Sequence, residues 1–218
     1  MPRDMLTREQ IVQSAIELLD AEGIDGLSMR RLGNRLNSAA TAVYWHVRSK
    51  DELVVLAADA VWAEITLPDL DAVDWRTAAT TMARDLYAMI MRHPWLVPAM
   101  SSHLIYGPGK ARHDDHSLAV FEAAGFSGRD AEQAATVVLT FVLGRAVGAT
   151  AEVAWRARLR RAGGDEQVQM QEVVERVSAI AMQFPRLRAR GRAWAEGDRT
   201  LPSQDLEFGL QARLAGQP

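Results

Sequence analysis

The sequence SMRRLGNRLNSAATAVYWHVRSK, residues 28–50, decides the fold of the N-terminal part of the chain. It contains five Lys or Arg residues and no Asp or Glu, whereas the whole chain has 28 acidic and 25 basic residues. Its apolar positions predict two short helices, residues 29–36 and 39–46, separated by a tight turn at Asn37 and Ser38. A basic segment with helix-turn-helix spacing in a chain of near-neutral net charge indicates contact with nucleic-acid phosphates and a DNA groove.

Capping patterns predict the helices on both sides of this segment. Thr7 followed by Gln10 is typical of a capping box, in which each residue satisfies a free backbone amide at the start of a helix. Ser49 with Glu52 repeats the pattern and predicts a second capping box, opening a helix over residues 50–65. The N-terminal part is therefore predicted to be three helices followed by a connecting helix.

The remaining sequence predicts helices alone, beginning after a Pro-containing connector near residue 68. Helices are predicted over residues 75–92, 94–100, 110–124, 127–161, 168–182 and 203–214, with a loop at 106–109 and a partly irregular segment at 186–200. No run of alternating apolar residues indicates a strand. The predicted class is all-α, with a head in residues 1–50, a connecting helix in 51–67 and a larger helical domain in 68–218.

Composition limits the possible functions. The chain of 218 residues has 48% hydrophobic residues, enough for a sizeable core, and no cysteine, which excludes disulfides, thiolate metal sites and cysteine nucleophiles. The N-terminal residues lack the apolar segment of a signal peptide, and the longest apolar run, residues 134–144, is too short to span a bilayer. We therefore expect a cytoplasmic protein that does not interact with membranes.

Residues 12–54, VQSAIELLDAEGIDGLSMRRLGNRLNSAATAVYWHVRSKDELV, resemble the DNA-binding head of the tetracycline-repressor (TetR) family. The most specific part is AVYWHVRSKDEL at residues 42–53. The later segments DWR, AAGFS, QFP and DLEFGL are similar to the C-terminal half of the tetracycline repressor. One departure is Asn37-Ser38 in the turn, where many relatives have Gly-Val. Asn tolerates the left-handed backbone that such a turn needs, whereas Ser38 replaces a small hydrophobe, so we expect an intact but less strongly packed turn.

The resemblance and the geometry of groove binding together imply the DNA contacts. Arg30 matches a family position that reaches a base, and the alanines of the reading turn can offer only methyl contacts to thymine. The predicted DNA-contacting residues are Arg30, Ala40, Thr41, Ala42, Tyr44, Trp45, His46 and Lys50. Three alternatives stay open: Tyr44 and His46 could instead be packed with hydrogen bonds inside the protein, and Trp45 could be half buried. Arg31 and Arg35 are better explained as an ordinary solvated face.

The resemblance also implies that the C-terminal domain dimerises and holds a small-molecule effector. The family's polar drug-binding and magnesium-binding positions fall on Thr66, Met82, Met100, Thr140 and Gly148, which cannot supply the oxygen ligands that magnesium needs. We therefore expect no cofactor and a hydrophobic effector. The predicted ligand-binding residues, for each of which ordinary core packing is the alternative, are Trp62, Met82, Leu86, Met89, Trp95, Met100, Leu104 and Leu139.

Twofold symmetry predicts a homodimer on palindromic double-stranded DNA, because one head offers few specific contacts and two double them. The dimer candidates are the small-residue face of the helix over residues 130–161 and a final helix around Leu206, Phe208, Leu210 and Leu214. Internal core packing is the alternative for both.

Two other functions are weighed against a ligand-responsive repressor. His113 and His116, three residues apart in RHDDH, could bind a metal or support catalysis, but solvated charge on an exposed helix start is the favoured interpretation, so no enzyme is expected. The second alternative is a ligand-binding or interaction module whose DNA-binding head has decayed, which the poor reading turn leaves open.

Overall fold

A computed structural model describes residues 6–161, 165–195 and 209–210 of the chain. Within them ten α-helices and no strand occur, which confirms the predicted all-α class. The helices are α1 (Arg8–Gly26), α2 (Met29–Arg35), α3 (Ala40–Tyr44), α4 (Lys50–Trp62), α5 (Trp75–Arg92), α6 (Leu96–Ser102), α7 (Pro108–Ala123), α8 (Arg129–Arg161), α9 (Glu166–Ala181) and α10 (Pro185–Ala195).

Helices α1 to α4 form the predicted helix-turn-helix head and its connecting helix. The Thr7 hydroxyl accepts a hydrogen bond from the Gln10 amide at 3.2 Å, and the Gln10 side chain accepts one from the Thr7 amide at 2.9 Å, so the first capping box is confirmed. The apolar side chains that bind these helices together are fully or almost fully buried: Ile11, Ala15, Leu19, Leu27, Leu32, Val43, Val47, Leu53 and Val54.

The second capping box differs from the prediction. The Ser49 hydroxyl accepts from the Glu52 amide at 3.0 Å, as expected, but the Glu52 carboxylate accepts from the amide of Arg48 at 2.7 Å rather than from Ser49. The other oxygen of Glu52 accepts from the Arg8 guanidinium at 3.2 Å. The carboxylate thus ties the start of α4 to the start of α1.

Helices α5, α7 and α8 pack around a second apolar cluster. Asp74 caps α5 by accepting hydrogen bonds from the amides of Arg76 and Thr77 at 3.0 and 3.1 Å. The buried members of the cluster are Ala78, Ala79, Met82, Val120, Phe121, Ala131 and Ala134. Phe121 makes aromatic contacts with Trp75 and Phe126, at centroid distances of 6.2 and 6.1 Å.

Several predicted helix boundaries differ from the structure; α4, for example, ends at Trp62 rather than at residue 65. Helix α6 begins at Leu96 rather than at residue 94, because the Leu96 amide first closes a turn on the carbonyl of His93. Helix α7 begins at Pro108, inside the predicted loop, since a proline fits the first helical position. Helix α10 covers Pro185–Ala195, so the described part of the segment predicted to be partly irregular is helical, and its residues 196–200 lie outside the described residues. Arginine is a good helix former and outweighs the single Gly191 in this helix.

The described residues form two compact units, divided after Thr150 within helix α8. The predicted final helix, residues 203–214, lies outside the described residues except for Gly209 and Leu210, which are helical. The dimer candidates Leu206, Phe208 and Leu214 are therefore not described, whereas Leu210 is 1% exposed.

One segment is more apolar than the sequence analysis expected. By length and composition alone, Arg129–Ala151 in α8 could cross a membrane, and only 22% of its most apolar window is buried within the monomer. One such helix is weak evidence for a membrane span; the structure shows that most of this window is not buried within the chain.

Candidate functional site

The turn between α2 and α3 positions the reading helix. Asn37 has φ 49°, the left-handed conformation expected of it, and the Ser38 amide donates to the Gly33 carbonyl at 2.9 Å. A Cβ at Gly33 would lie 2.9 Å from the Ser38 oxygen and 3.0 Å from the Ala40 nitrogen, so only glycine allows this close approach. The sequence analysis did not single out Gly33, although a glycine inside a short predicted helix signals such a contact.

Helix α3 presents its polar residues outward from a buried anchor. Val43 is fully buried and fixes the rotation of the helix, while Thr41 and His46 are exposed. Tyr44 is 51% and Trp45 87% exposed, which excludes a half-buried Trp45 in this structure. Ala40 and Ala42 are partly exposed beside them. The predicted contact residues in and directly after α3 are therefore all at least partly accessible.

Ion pairs divide the three arginines of α2 into two groups. Arg31 donates to both oxygens of Glu22, and Arg35 donates to Glu17 at 2.5 Å, so both guanidinium groups are held against α1. Arg30 is exposed and has no ion pair with any residue that the structure describes. Of these three arginines, Arg30 is the one whose guanidinium group is available to an external acceptor. Arg31 and Arg35 form part of the solvated face predicted for them.

Lys50 lies in the first turn of α4, directly after the Ser49 cap. Its side chain is partly exposed, next to the exposed Arg48. Unpaired amides and the positive end of the helix dipole favour a phosphate at such a position. Together with Arg30 and His46, these residues supply the basic character of the head.

A cavity of about 300 Å³ lies among α5, α7 and α8. Its apolar wall includes Met82, Leu86 and Leu139, three of the predicted ligand-binding residues, together with Phe121. Its polar side comes from Lys110, His113, Asp114 and Ser117 on α7, and from Glu132 and Thr136 on α8. The cavity is thus amphipathic rather than uniformly apolar.

The other five predicted ligand-binding residues lie outside the lining of this cavity. Trp62 and Met89 are fully buried in packing, and Trp95 is 3% exposed with its indole bonded to Asp20. Met100 is partly exposed, and Leu104 is 83% exposed on the loop before α7. Apolar periodicity identifies such residues as candidates for burial but does not tell a core position from a cavity wall.

The polar side of the cavity was missed as a binding site. Residues 110, 113, 114 and 117 have the spacing of one helical face, so a polar stripe at helical period was the available signal. Lys110 pairs with Asp114 at 2.5 Å. Burial alone would raise the pKa of Asp114, but hydrogen bonds from His113 and Lys110 outweigh it and lower this pKa below its ordinary value.

His113 corrects the interpretation of the RHDDH segment as solvated charge. Its side chain is 8% exposed and its ring contacts Trp62 edge-on, with centroids 4.8 Å apart. In the described part of the chain, no three His, Asp or Glu residues are placed to hold a metal ion together. His113 therefore acts in packing and in lining the cavity.

A separate polar cluster connects the head to the α5–α6 turn, and we call Asp20, Glu64, His93 and Trp95 the head joint. His93 Nδ1 lies 2.7 Å from Asp20 Oδ1, and its Nε2 lies 3.2 Å from Glu64. The Trp95 indole donates to the same Asp20 oxygen at 2.7 Å. Burial would lower the pKa of His93, but Asp20 and then Glu64 outweigh it and raise this pKa above its ordinary value.

Comparison with known proteins places this geometry in a family. Residues 11–57 match the family described as bacterial regulatory proteins, tetR family, and residues 67–217 match the tetracyclin repressor-like C-terminal domain. The chain is 34% identical over 185 residues to an HTH-type transcriptional regulator of Saccharopolyspora erythraea, covering 85% of this chain and 75% of that one. It is also 34% identical over 146 residues to the HTH-type transcriptional repressor DrrR1 of Streptomyces coeruleorubidus, covering 66% and 54%.

A solved structure agrees with the sequence matches. The TetR family protein ActR of Streptomyces coelicolor, in complex with actinorhodin, superposes with a TM-score of 0.76 at 25% identity, covering 98% of this chain and 96% of ActR. The relatives identified by sequence are transcriptional regulators. Because the C-terminal match alone covers more than half of the sequence, the chain belongs to the TetR family of bacterial regulators.

Proposed function

We propose that this protein is a ligand-responsive, dimeric transcriptional repressor that releases a palindromic operator when it binds a small effector. The observation that carries the proposal is the accessibility of the predicted α3 residues and of Arg30, which has no ion pair with any residue that the structure describes, in a chain of this family. The names of the relatives, which are transcriptional regulators and repressors, support the same function. Such a repressor would operate in the cytoplasm, where its operator lies.

In the proposed DNA complex, α3 enters the major groove and the residues around it fix its position. Arg30 supplies a bidentate contact to guanine, and Thr41 a single hydrogen bond. The Ala40 and Ala42 methyl groups contact thymine. Tyr44, Trp45, His46 and Lys50 contact phosphates and sugars, which set register without reading sequence. Base recognition therefore depends mainly on Arg30, outside the reading helix.

The exposed face of α8 supports the proposed homodimer. Val137, Thr140, Gly144, Val147 and Gly148 are exposed and recur at helical spacing along one side. A Cβ at Gly144 or Gly148 would meet nothing within 4 Å, so the face is open in the monomer. Small residues allow close approach of another helix, and burying the same face of a second copy forms a twofold interface.

The amphipathic cavity supports an effector with an apolar body and a polar edge. Phe121, Met82, Leu86 and Leu139 would pack against the body, and the residues on the facing side of α7 would bind the edge. ActR was crystallised with actinorhodin, and we propose that a small molecule with an apolar body occupies the cavity here as well. Actinorhodin itself is the first compound to test.

The proposed function is tested by binding to the DNA that flanks the protein's own gene. Fluorescence anisotropy at fixed ionic strength should show saturable binding of the protein to this DNA. A scrambled duplex of the same length should be a poor competitor for that binding. Arg30→Ala should weaken this binding by about 10- to 100-fold, because a bidentate base contact is lost. Arg31→Ala is the matched control. It removes a guanidinium from the adjacent position of the same helix, but one that pairs with Glu22.

Two results would contradict the proposal. If the native protein binds the flanking and scrambled duplexes equally, the head does not read sequence, and the chain is a ligand-binding or interaction module. If Arg30→Ala and Arg31→Ala weaken binding equally, the contact is a general attraction of phosphates and the proposed reading mode is wrong.

A further inference from the structure

Helix α7 receives its N-terminal cap from another helix. The residue before it, Gly107, has no side chain that could cap the free amides of the first turn. Instead the Asp59 carboxylate of α4 accepts a hydrogen bond from the Lys110 amide at 2.9 Å. Asp59 is 9% exposed, so a charged side chain has been buried to make this contact.

Helix α7 caps α4 in return. The Arg112 guanidinium donates to the carbonyl of Ala63 at 3.0 Å and to that of Ile65 at 3.3 Å, just after the last residue of α4. These carbonyls belong to the end of the helix, where acceptors lack partners within the helix. We call Asp59 and Arg112, with the backbone groups that they bind, the reciprocal-cap joint.

Close packing leaves no clearance at this joint. A Cβ at Gly107 would lie 2.3 Å from the Asp59 carboxylate carbon, and a Cβ at Gly109 would lie 2.2 Å from the Asp59 backbone oxygen. Between the two caps, the Trp62 ring contacts His113 edge-on and lies 5.1 Å from the Lys110 ammonium. The first turns of α7 and the second half of α4 are therefore held as one body.

The same turns of α7 form the polar side of the cavity. Lys110 and His113, which contact Trp62 of α4, both line it. An effector that displaces these side chains therefore acts on residues already in contact with the connecting helix. If the effector displaces α7 while the two caps stay intact, α4 has to move with α7. Only breaking the caps would let α7 move alone.

We propose that Asp59 and Arg112 are positioning residues that transmit occupation of the cavity to α4 and hence to the head. This inference rests on the proposed function, because it names the residues through which a bound effector would cause release of the operator. A ligand shifts an equilibrium only as far as its contacts differ between the two states. The reciprocal-cap joint supplies that difference by linking the cavity wall to the helix that carries the head.

The test uses a filled cavity in place of an effector. Ala135→Phe places a ring in the cavity from α8, and Ala83→Phe does so from α5, so that a folding failure of one variant leaves the other. Each is made in the native chain and in the Asp59→Ala/Arg112→Ala background. Operator affinity of all six proteins is measured by anisotropy, with circular dichroism and gel filtration to establish folding and oligomeric state.

Filling the cavity with either phenylalanine should weaken operator binding by about tenfold or more in the native chain. In the Asp59→Ala/Arg112→Ala background the same substitution should weaken it by less than about threefold. An equal loss in both backgrounds would show that the effect travels by another route and would overturn the inference. No loss in the native background would overturn it as well, because occupation would then not reach the head.

Hydrogen exchange separates this inference from the proposed function. Filling should change deuterium uptake across Lys50–Trp62 in the native background and leave it unchanged without the caps. This readout needs no DNA. If the native protein lacks sequence-selective binding but shows this pattern, the proposed function fails while the joint stands. If it binds its operator but uptake changes equally in both backgrounds, only the joint is refuted.

Discussion

The head joint fixes α1, and Glu64 just after α4, to the α5–α6 turn, whereas the reciprocal-cap joint fixes α4 to α7. The two joints use different groups. The reciprocal-cap joint pairs side chains with backbone amides and carbonyls, which keep their hydrogen-bonding character at every physiological pH. The head joint places an imidazole between two carboxylates, and an imidazole changes charge near neutral pH. The reciprocal-cap joint is therefore suited to passing on a displacement. We expect the head joint to contribute stability that changes with pH, because, against the effect of burial, its carboxylates raise the pKa of His93.

The largest expected effect comes from separating α7 from α4. Gly109→Ala should destabilise the protein by about 2–3 kcal/mol, because the added methyl group meets backbone atoms of Asp59 and Ala63, which cannot rotate away. Urea unfolding followed by circular dichroism measures the difference. Gly191→Ala in α10 is the control: a Cβ there meets nothing within 4 Å, so a helix-favouring residue should stabilise slightly. Equal effects of the two variants would show that the joint is not tightly packed.

The second prediction concerns the histidine of the head joint. Since the folded-state pKa of His93 is raised, its protonated form stabilises the fold fully below its unfolded pKa, about 6.5, and this contribution is lost as pH rises through the folded value. His93→Gln, which stays uncharged, should cost on the order of 1–2 kcal/mol at acidic pH. The deficit should shrink as pH rises.

The measurement is urea unfolding of native and His93→Gln proteins across the neutral range. Asp59→Asn serves as the comparison at the other joint, because it keeps an oxygen acceptor for the Lys110 amide and changes no histidine. A deficit of His93→Gln that grows with pH would contradict the assigned direction of the pKa change.

The smallest effect is expected from Trp95. Trp95→Phe keeps most of the buried ring and removes only the indole hydrogen bond to Asp20, which should cost about 1 kcal/mol. The cost should be the same at acidic and alkaline pH, because the indole N–H does not change its protonation state in that range. Trp45→Phe, at a site 87% exposed, should change stability by less than about 0.5 kcal/mol. A pH-dependent deficit at Trp95 would mean that His93 and Trp95 act as one unit.

Local signals were enough to predict most of the helices. Thr7 with Gln10, and Asp74 before α5, cap their own helices from a few residues away, so the sequence contains both partners of each bond close together. Asn37 could be placed in a left-handed turn because the conformational preference belongs to the residue itself. The all-α class and the family resemblance followed from such features and were confirmed.

The features that could not be predicted from the sequence depend on contacts between residues far apart in the chain. The start of α7 was predicted as a loop because its cap, Asp59, lies about fifty residues earlier. Likewise, periodicity marked Trp62 and Met89 as apolar positions without showing that neither faces the cavity. The pairing of Arg31 with Glu22 and of Arg35 with Glu17 depends on how α2 packs on α1.

Those two arginine pairs bear on how the protein would find its operator in a genome. Attraction to random DNA grows with the number of cations that can neutralise phosphates. With Arg31 and Arg35 neutralised and a net charge of -3 on the chain, the protein should dwell only briefly on each random sequence. Brief residence leaves more molecules free to sample other sites, so a modest set of base contacts can still produce occupancy of the operator. The acidic residues of α1 thereby contribute to selectivity without touching a base.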